Sequence, residues 1–101
     1  MYNSIKLTIY TQNDCGYCHE LKRKLDSWGY NFDEINISYQ IERKVFLKEL
    51  NLRTVPQLFW NGKHVGPANN DTLGFTKEML EAELNYYDYI GGVENFAQMD
   101  T

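Results

Sequence analysis

The 101-residue sequence has little positive charge and no long apolar run. It holds 10 Lys and Arg against 14 Asp and Glu, for a formal net charge of −4. Nucleic acids and anionic lipid surfaces are bound through clustered positive charge, so this composition argues against both classes of partner. No stretch approaches the roughly 18 apolar residues of a membrane span, and the first residues do not form a charged and apolar leader. We therefore expect a cytoplasmic protein that binds neither nucleic acid nor a membrane.

Cysteine is equally scarce, and its two copies stand close together. Cys15 and Cys18 are separated by two residues, and a disulfide closing so small a loop would stabilise the fold by only about 2 kcal/mol. In a reducing compartment such a pair is more often catalytic or metal-binding than structural. With His19 the pair also matches the C-x-x-C-H pattern of covalent haem attachment. Three interpretations are open at this point: a redox dithiol, a haem site and half of a zinc site.

Apolar residues are plentiful, and their spacing predicts the elements of the fold. Hydrophobic residues make up 43% of the chain, which favours a single domain over residues 1–90 followed by a loosely held tail over residues 91–101. Alternation with a period of two predicts strands, and recurrence every three or four residues predicts helices. The predicted elements are a strand over 5–10, a helix from the cysteines to Trp28, a strand over 31–37, a helix over 41–52 with Ser38 as its N-cap, hairpin strands over 57–60 and 63–65 joined by Asn61-Gly62, and a helix over 72–89 ended by Gly91-Gly92.

The resulting order, β-α-β-α-β-β-α, predicts an α/β fold. A strand-helix-strand start requires a parallel crossover, whereas the Asn61-Gly62 turn makes the last two strands antiparallel. We therefore expect a small mixed four-stranded sheet flanked by helices. The side chains expected in its core include Trp28, Phe46, Phe59 and Leu80.

The cysteine pair falls where the first strand gives way to a helix. The unpaired N–H groups of a first helical turn favour an anion, so Cys15 is expected to ionise below the pKa of about 8.5 of a free thiol. Cys18 shares a helix face with Leu21 and Leu25, which predicts a buried second thiol within reach of Cys15. Thiol-disulfide exchange needs this asymmetry, because one thiolate attacks and the second thiol resolves the mixed disulfide. The neighbouring run Lys22-Arg23-Lys24 is interpreted as a solvated helix face.

Three motifs follow one another at wide spacing. They are Tyr10-Thr11 leading into Cys15-Gly16-Tyr17-Cys18, then Thr54-Val55-Pro56-Gln57-Leu58-Phe59, and then Asn61-Gly62-Lys63-His64-Val65-Gly66. Together they resemble the glutaredoxins, over roughly Ile5 to Leu84. The resemblance implies a thioredoxin-like fold and a monomeric, glutathione-dependent thiol-disulfide oxidoreductase. Glutathione is then a co-substrate, no tightly bound cofactor is expected, and the partners are disulfide-bearing or glutathionylated proteins, with ribonucleotide reductase as one candidate.

The same resemblance implies a role for each matching residue. Cys15 would attack the disulfide and Cys18 would resolve it, while Pro56 would follow a cis peptide bond beside them. An extended tripeptide such as glutathione can pair with exposed main chain as an added strand would. The implied glutathione contacts are Tyr17, Thr54, Val55, Pro56, Asp71 and Thr72, the last two as a clamp for the γ-glutamyl end, and Arg53 is either a partner for a ligand carboxylate or a solvated surface residue.

Departures from the glutaredoxin pattern keep two alternatives open. Gln12 stands where a lysine is common, and the Gly-Gly-x-Asp turn is replaced by an expanded segment over residues 66–72. An altered turn favours the alternative of a glutaredoxin-like electron donor reduced by thioredoxin reductase. Gly16 replaces the usual active-site proline, which permits a dimer bridged by a glutathione-ligated [2Fe-2S] cluster. Clear strands argue against a c-type cytochrome, and the lack of a second cysteine pair argues against zinc, so no metal ligands are predicted.

Overall fold

The computed structural model describes the backbone of residues 6–100 and the side chains of residues 6–89. The predicted order of strands and helices is confirmed, while Ile5, placed in the first strand by the sequence, lies outside the described residues. The elements are β1 (Lys6–Thr11), α1 (Gly16–Trp28), β2 (Asn31–Asn36), α2 (Ile41–Glu49), β3 (Gln57–Trp60), β4 (Lys63–Gly66), a 3-10 turn (Ala68–Asn70) and α3 (Lys77–Asp100).

The four strands form one mixed sheet in the order β2-β1-β3-β4. β1 lies parallel to β2 and β3 lies antiparallel to β4, as the crossover and the hairpin predicted. β1 also pairs antiparallel with β3, which joins the two pairs into one sheet. The hairpin turn has positive φ at both Asn61 and Gly62, 50° and 77°, as a type I′ turn requires. This tight turn places His64 opposite Phe59 in the β3–β4 register.

Two clusters of apolar side chains make up the core. Side chains alternate across a strand, so Ile9 and Tyr10 of β1 belong to different clusters. Of the predicted core residues, Phe59 and Leu80 are buried, whereas Trp28 and Phe46 are half-buried against the clusters. The larger cluster joins Leu7, Ile9, Leu21, Leu25, Tyr30, Leu58, Val65, Phe75, Leu80 and Leu84, and the smaller one joins Tyr10, Ile37, Leu47 and Phe59.

The last helix differs from its prediction at both ends. It begins at Lys77, because the Thr76 hydroxyl accepts a hydrogen bond from the Met79 backbone N–H at 3.2 Å and so caps the first turn. The helix continues through Gly91-Gly92 to Asp100, so the predicted stop at the glycine pair is wrong. Glycine ends a helix when it adopts the left-handed conformation, as Gly29 does after α1 with φ 84°. The proposed separation of a tail at residue 91 stays a prediction. No helix within residues 6–100 combines the length and the apolar character needed to cross a bilayer.

The second helix is shorter and less buried than its pattern indicated. Ser38 is not its N-cap: Gln40 holds that position without a side-chain hydrogen bond, and the Ser38 hydroxyl instead accepts one from the Asn13 N–H at 3.0 Å. Ile41 and Val45, which carried the apolar pattern, are 68% and 51% exposed. The nine-residue helix turns Leu47, and not those side chains, into the core.

Candidate active site

The two cysteines lie at the start of α1, as the sequence predicted. Cys15 is the N-cap residue, with extended backbone angles of φ −117° and ψ 101°, and Gly16 begins the helix. The backbone N–H of Cys18 donates a hydrogen bond to Cys15 Sγ over 3.1 Å. The two residues are joined by a disulfide in this structure. An N-terminal helix amide therefore stabilises negative charge at the Cys15 sulfur whenever that bond is opened.

The two cysteines differ in exposure. Cys15 is 9% exposed and Cys18 is 2% exposed. Cys18 belongs to the buried face of α1 together with Leu21 and Leu25. A partner sulfur approaching from solvent therefore meets Cys15 first, and Cys18 can attack only from behind it.

The loop before β3 lies against the disulfide. Its Val55–Pro56 peptide bond is cis, as the resemblance implied. The Val55 carbonyl oxygen lies 3.9 Å from Cys15 Sγ. A second cis bond, Gly66–Pro67, follows β4 and was not predicted. The structure thus brings the sequence-predicted Val55 and Pro56 together with the cysteines.

A buried amide connects this loop to β4 and to the 3-10 turn. Gln57 is fully buried, and its Nε2 donates hydrogen bonds to the Thr54 carbonyl oxygen at 3.0 Å and to Asn70 Oδ1 at 2.9 Å. The Thr54 hydroxyl donates to the same Asn70 oxygen at 2.6 Å. Gln57 Oε1 faces His64 Nε2 at 2.7 Å, so the imidazole must carry a proton on that nitrogen. Sequence reasoning missed this role of Gln57, although the residue belonged to one of its motifs.

His64 is neutral at ordinary pH. Burial lowers the pKa of its imidazole below the usual 6.5, and a backbone hydrogen bond with Gly66 opposes that shift only in part. The ring also packs edge-on against Phe59, with centroids 5.2 Å apart. His64 therefore acts as a hydrogen-bond donor that holds Gln57 in one orientation.

The two predicted γ-glutamyl contacts, Asp71 and Thr72, lie between the 3-10 turn and α3 and differ in exposure. Asp71 is exposed, and its Oδ1 accepts a hydrogen bond from the Gly74 N–H at 2.9 Å. Thr72 is only 3% exposed. The Asp71 side chain is therefore accessible from solvent, whereas the Thr72 side chain is enclosed.

Within the basic run on α1, Arg23 is exposed, as a solvated helix face requires, whereas Lys22 and Lys24 are half-buried. Lys22 pairs with Glu34 at 3.1 Å, and Arg23 pairs with Glu20. The Thr11 hydroxyl donates to Glu34 at 2.6 Å, and this bond, helped by Lys22, holds the pKa of that carboxyl below its usual value.

The third residue of the run, Lys24, contacts the segment before α3. Its ammonium group donates to the carbonyl oxygens of Thr72 at 2.8 Å, Leu73 at 3.0 Å and Phe75 at 2.7 Å. Lys24 follows Leu21 by three residues and lies at the edge of the buried face of α1. At such a position the aliphatic part of a lysine can pack against the protein while its ammonium group reaches outward. That position was the only sequence signal for its role.

A cavity of about 140 Å³ opens beside the loop that contacts the disulfide. Three of its lining residues are cations: Lys44 and Lys48, one turn apart on α2, and Arg53. The ion pairs found within residues 6–89 involve none of these three. Sequence reasoning named Arg53 but missed the two lysines. The complete lining is Gln12, Ile37, Lys44, Leu47, Lys48, Leu52, Arg53, Thr54 and Val55.

On the other side of the disulfide, the surface is open and partly apolar. Tyr17 and Leu73 are 57% and 65% exposed. With Gly16 and Glu20 they line a shallow depression of about 290 Å³. Within residues 6–89, no three His, Cys, Asp or Glu side chains converge as metal ligands would. The zinc interpretation therefore gains no support from the described part of the chain.

Comparisons with known proteins agree with this geometry. The family model for glutaredoxin matches residues 7–65, more than half of the chain. Glutaredoxin 3 of Escherichia coli is 39% identical over 63 residues, which cover 61% of this chain and 76% of that protein.

Solved structures show the same likeness. The NrdH-redoxin of E. coli, described as having a thioredoxin-like activity profile, is 32% identical, with a TM-score of 0.56 over 59% of this chain and 79% of that one. A buckwheat glutaredoxin-glutathione complex is 26% identical, with a TM-score of 0.62 over 84% of this chain and 81% of that one. The chain therefore belongs to the glutaredoxin family of thiol oxidoreductases, with a thioredoxin-like fold and a redox-active cysteine pair at Cys15 and Cys18.

Proposed function

We propose that this protein reduces protein disulfides and glutathione mixed disulfides, with glutathione as its reductant. The Cys15 thiolate attacks one sulfur of a substrate disulfide, forms a mixed disulfide and releases the other sulfur as a thiolate that takes up a proton. The Cys18 thiol loses its proton and attacks Cys15, which frees the second substrate thiol and leaves the Cys15–Cys18 disulfide. Two glutathione molecules then reduce that disulfide and leave as oxidised glutathione.

The single observation that carries this proposal is the cationic cavity beside Val55. Glutathione has a carboxylate at its glycine end, and Lys44, Lys48 and Arg53 surround a space of about 140 Å³ that can receive it. Val55 lines the same cavity, and its carbonyl oxygen lies 3.9 Å from Cys15 Sγ. A tripeptide whose main chain runs along Val55 therefore places its central thiol at Cys15 and its carboxylate among the cations.

The γ-glutamyl end is then assigned to the segment before α3. Asp71 Oδ2 is the acceptor for the ligand's ammonium group, because Oδ1 already binds the Gly74 N–H. Thr72 contributes through its main chain, since its side chain is only 3% exposed. Tyr17, which is 57% exposed beside the cysteines, and the exposed Thr54 are the contacts proposed for the space between the two ends, whereas Pro56 of the same loop is buried.

A second candidate function is electron transfer from thioredoxin reductase. The enclosed Thr72 side chain and the neutral Gln12 at the cavity wall remove two groups that would bind glutathione. The likeness to a NrdH-redoxin with a thioredoxin-like activity profile favours the same alternative. Under either reductant the proposed partners are disulfide-bearing proteins, with ribonucleotide reductase as a candidate, and a cytoplasmic monomer remains the expectation.

A coupled assay separates the two reductants. NADPH consumption is followed with a mixed disulfide of glutathione and a peptide, using either glutathione with glutathione reductase or thioredoxin reductase alone. We expect turnover in the first arm. Arg53→Gln should raise the KM for glutathione about three- to tenfold, as loss of one exposed charge-assisted contact predicts.

Arg43→Gln is the matched control, because Arg43 is an exposed arginine of α2 that does not line the cavity. Its KM for glutathione should equal that of the wild type. Turnover with thioredoxin reductase and none with glutathione would replace the first proposal by the second. An equal rise of KM in both arginine variants would refute the cavity as the carboxylate site.

A further inference from the structure

We infer that Lys24 is a positioning residue, which fixes Leu73 beside the active site so that the protein prefers disulfides flanked by an apolar side chain. The inference rests on the proposed disulfide exchange at Cys15, and it is independent of which reductant restores the dithiol.

The contacts of Lys24 are unusually complete for a surface lysine. An ammonium group has three N–H donors, and here each has a carbonyl acceptor, on Thr72 at 2.8 Å, Leu73 at 3.0 Å and Phe75 at 2.7 Å. These three oxygens come from one four-residue segment that belongs to no helix or strand. A single positive charge thus ties the main chain of this segment to α1.

That segment carries an apolar side chain next to the reacting sulfur. Leu73 is 65% exposed, whereas Thr72 and Phe75 of the same segment are only 3% and 2% exposed. Leu73 and Tyr17 line one depression together with Gly16, which directly follows Cys15. Because Cys15 is only 9% exposed, a substrate chain that reaches it must also cover the protein surface next to it. The depression at Gly16 belongs to that surface.

The occupant follows from the exchange reaction. In the mixed disulfide, one substrate cysteine is bonded to Cys15, so the residue next to that cysteine lies over the depression. Tyr17 and Leu73 offer that residue an apolar contact, and exclusion of water from such a contact favours an aliphatic or aromatic side chain. Without Lys24, the main chain of Leu73 loses its link to α1, and the contact is no longer preformed.

The test uses single turnover, which needs no reductant in the assay. Fully reduced protein is mixed with a peptide disulfide carrying either Leu or Ser beside each cysteine. Acid-quenched samples are separated by chromatography to count the released peptide thiols. The dependence of the rate on peptide concentration gives a half-saturation concentration and a limiting rate for each peptide.

The wild type should bind the Leu peptide about five- to tenfold more tightly than the Ser peptide, as partial burial of one leucine predicts. Lys24→Met should abolish this preference while leaving the limiting rate unchanged, and Leu73→Ser should do the same. Lys24→Arg keeps the charge but cannot present three donors from one atom, so it should retain part of the preference. Lys22→Met is the control, because Lys22 pairs with Glu34 and not with the segment, and it should behave as the wild type.

A Lys24→Met variant that weakens binding of both peptides equally, or that lowers only the limiting rate, would overturn the inference. Should Lys24→Met not fold, Lys24→Arg decides, since a preference equal to that of the wild type would also overturn it. Failure of the glutathione proposal would appear only in the coupled assay and would leave these single-turnover ratios unaffected.

Discussion

Gln57→Leu tests how strongly one buried amide stabilises the parts of the active site on either side of it. Gln57 is fully buried and connects Thr54, Asn70 and His64 through hydrogen bonds of 3.0, 2.9 and 2.7 Å. Leucine has nearly the same volume, so the substitution removes these three bonds without opening a large cavity. The expected result is a lower free energy of unfolding.

The size of this loss in unfolding free energy depends on which former hydrogen-bond partners of Gln57 can bind water instead. Thr54 and Asn70 are exposed, so the Thr54 carbonyl oxygen and Asn70 Oδ1 can bind water once Gln57 is gone. Each lost hydrogen bond then costs about 0.5–1 kcal/mol of stability. The half-buried His64 Nε2–H has no such freedom, and an unsatisfied buried donor costs about 1–3 kcal/mol. The sum, about 2–5 kcal/mol, is a large share of the 5–15 kcal/mol that stabilises a typical domain.

The assay is urea unfolding at pH 7.5, followed by tryptophan fluorescence. The midpoint should fall with little change in the m-value, because the surface exposed on unfolding is nearly the same. Gln40→Leu is the control, since Gln40 precedes α2 and makes no capping hydrogen bond through its side chain. It should change the stability by less than about 0.5 kcal/mol. A loss below about 1 kcal/mol in Gln57→Leu, or equal losses in the two variants, would refute the reasoning.

Three further predictions concern the pH dependence, one glycine and the two sulfurs. Because burial lowers the pKa of His64 in the folded state, unfolding takes up a proton at low pH, so stability is complete above about pH 6.5 and falls as the pH is lowered through that value. The stability difference between pH 7.5 and pH 5.5 should therefore shrink in His64→Gln, and an unchanged difference would contradict the assignment. Gly66→Ala should cost more than about 2 kcal/mol in urea unfolding, because φ is 143° and the new Cβ would lie 2.5 Å from a phenylalanine ring. Gly16→Ala, with nothing within 4 Å of its Cβ, should be neutral, and similar losses in both would show that steric contact is not the cause. Cys15→Ser should abolish turnover of both protein disulfides and glutathione mixed disulfides, whereas Cys18→Ser should keep the second activity; equal losses would refute separate attacking and resolving roles.

The order of elements and the position of the cysteines could be predicted because both are local properties of the sequence. Period-two and period-3.6 patterns depend on nearest neighbours along the chain, and the Asn61-Gly62 turn fixes its hairpin through its own backbone angles. Cys15 lies at the junction of a strand and a helix, so its place as N-cap residue follows from the same local pattern.

The segment between β4 and α3 could not be predicted, because long-range contacts determine its conformation. Thr72 and Leu73 were expected in a helix, yet Lys24 of α1 binds their carbonyl oxygens and the helix begins only at Lys77. The same limit explains α2, where apolar spacing alone did not reveal that Leu47, rather than Ile41, faces the sheet.

The segment over residues 70–75 is anchored at two points, and in our proposal this separates the choice of partner from the chemistry of sulfur. At its start, Asn70 is held by Gln57, and further along its carbonyl oxygens are held by Lys24. Neither anchor contacts Cys15, whose sulfur is instead stabilised by the N–H of Cys18 within α1. Substitution of Lys24 should therefore alter which disulfide binds while leaving the limiting rate of exchange intact. In physical terms, we propose that the helix terminus supplies reactivity and that the fixed segment beside it supplies selectivity.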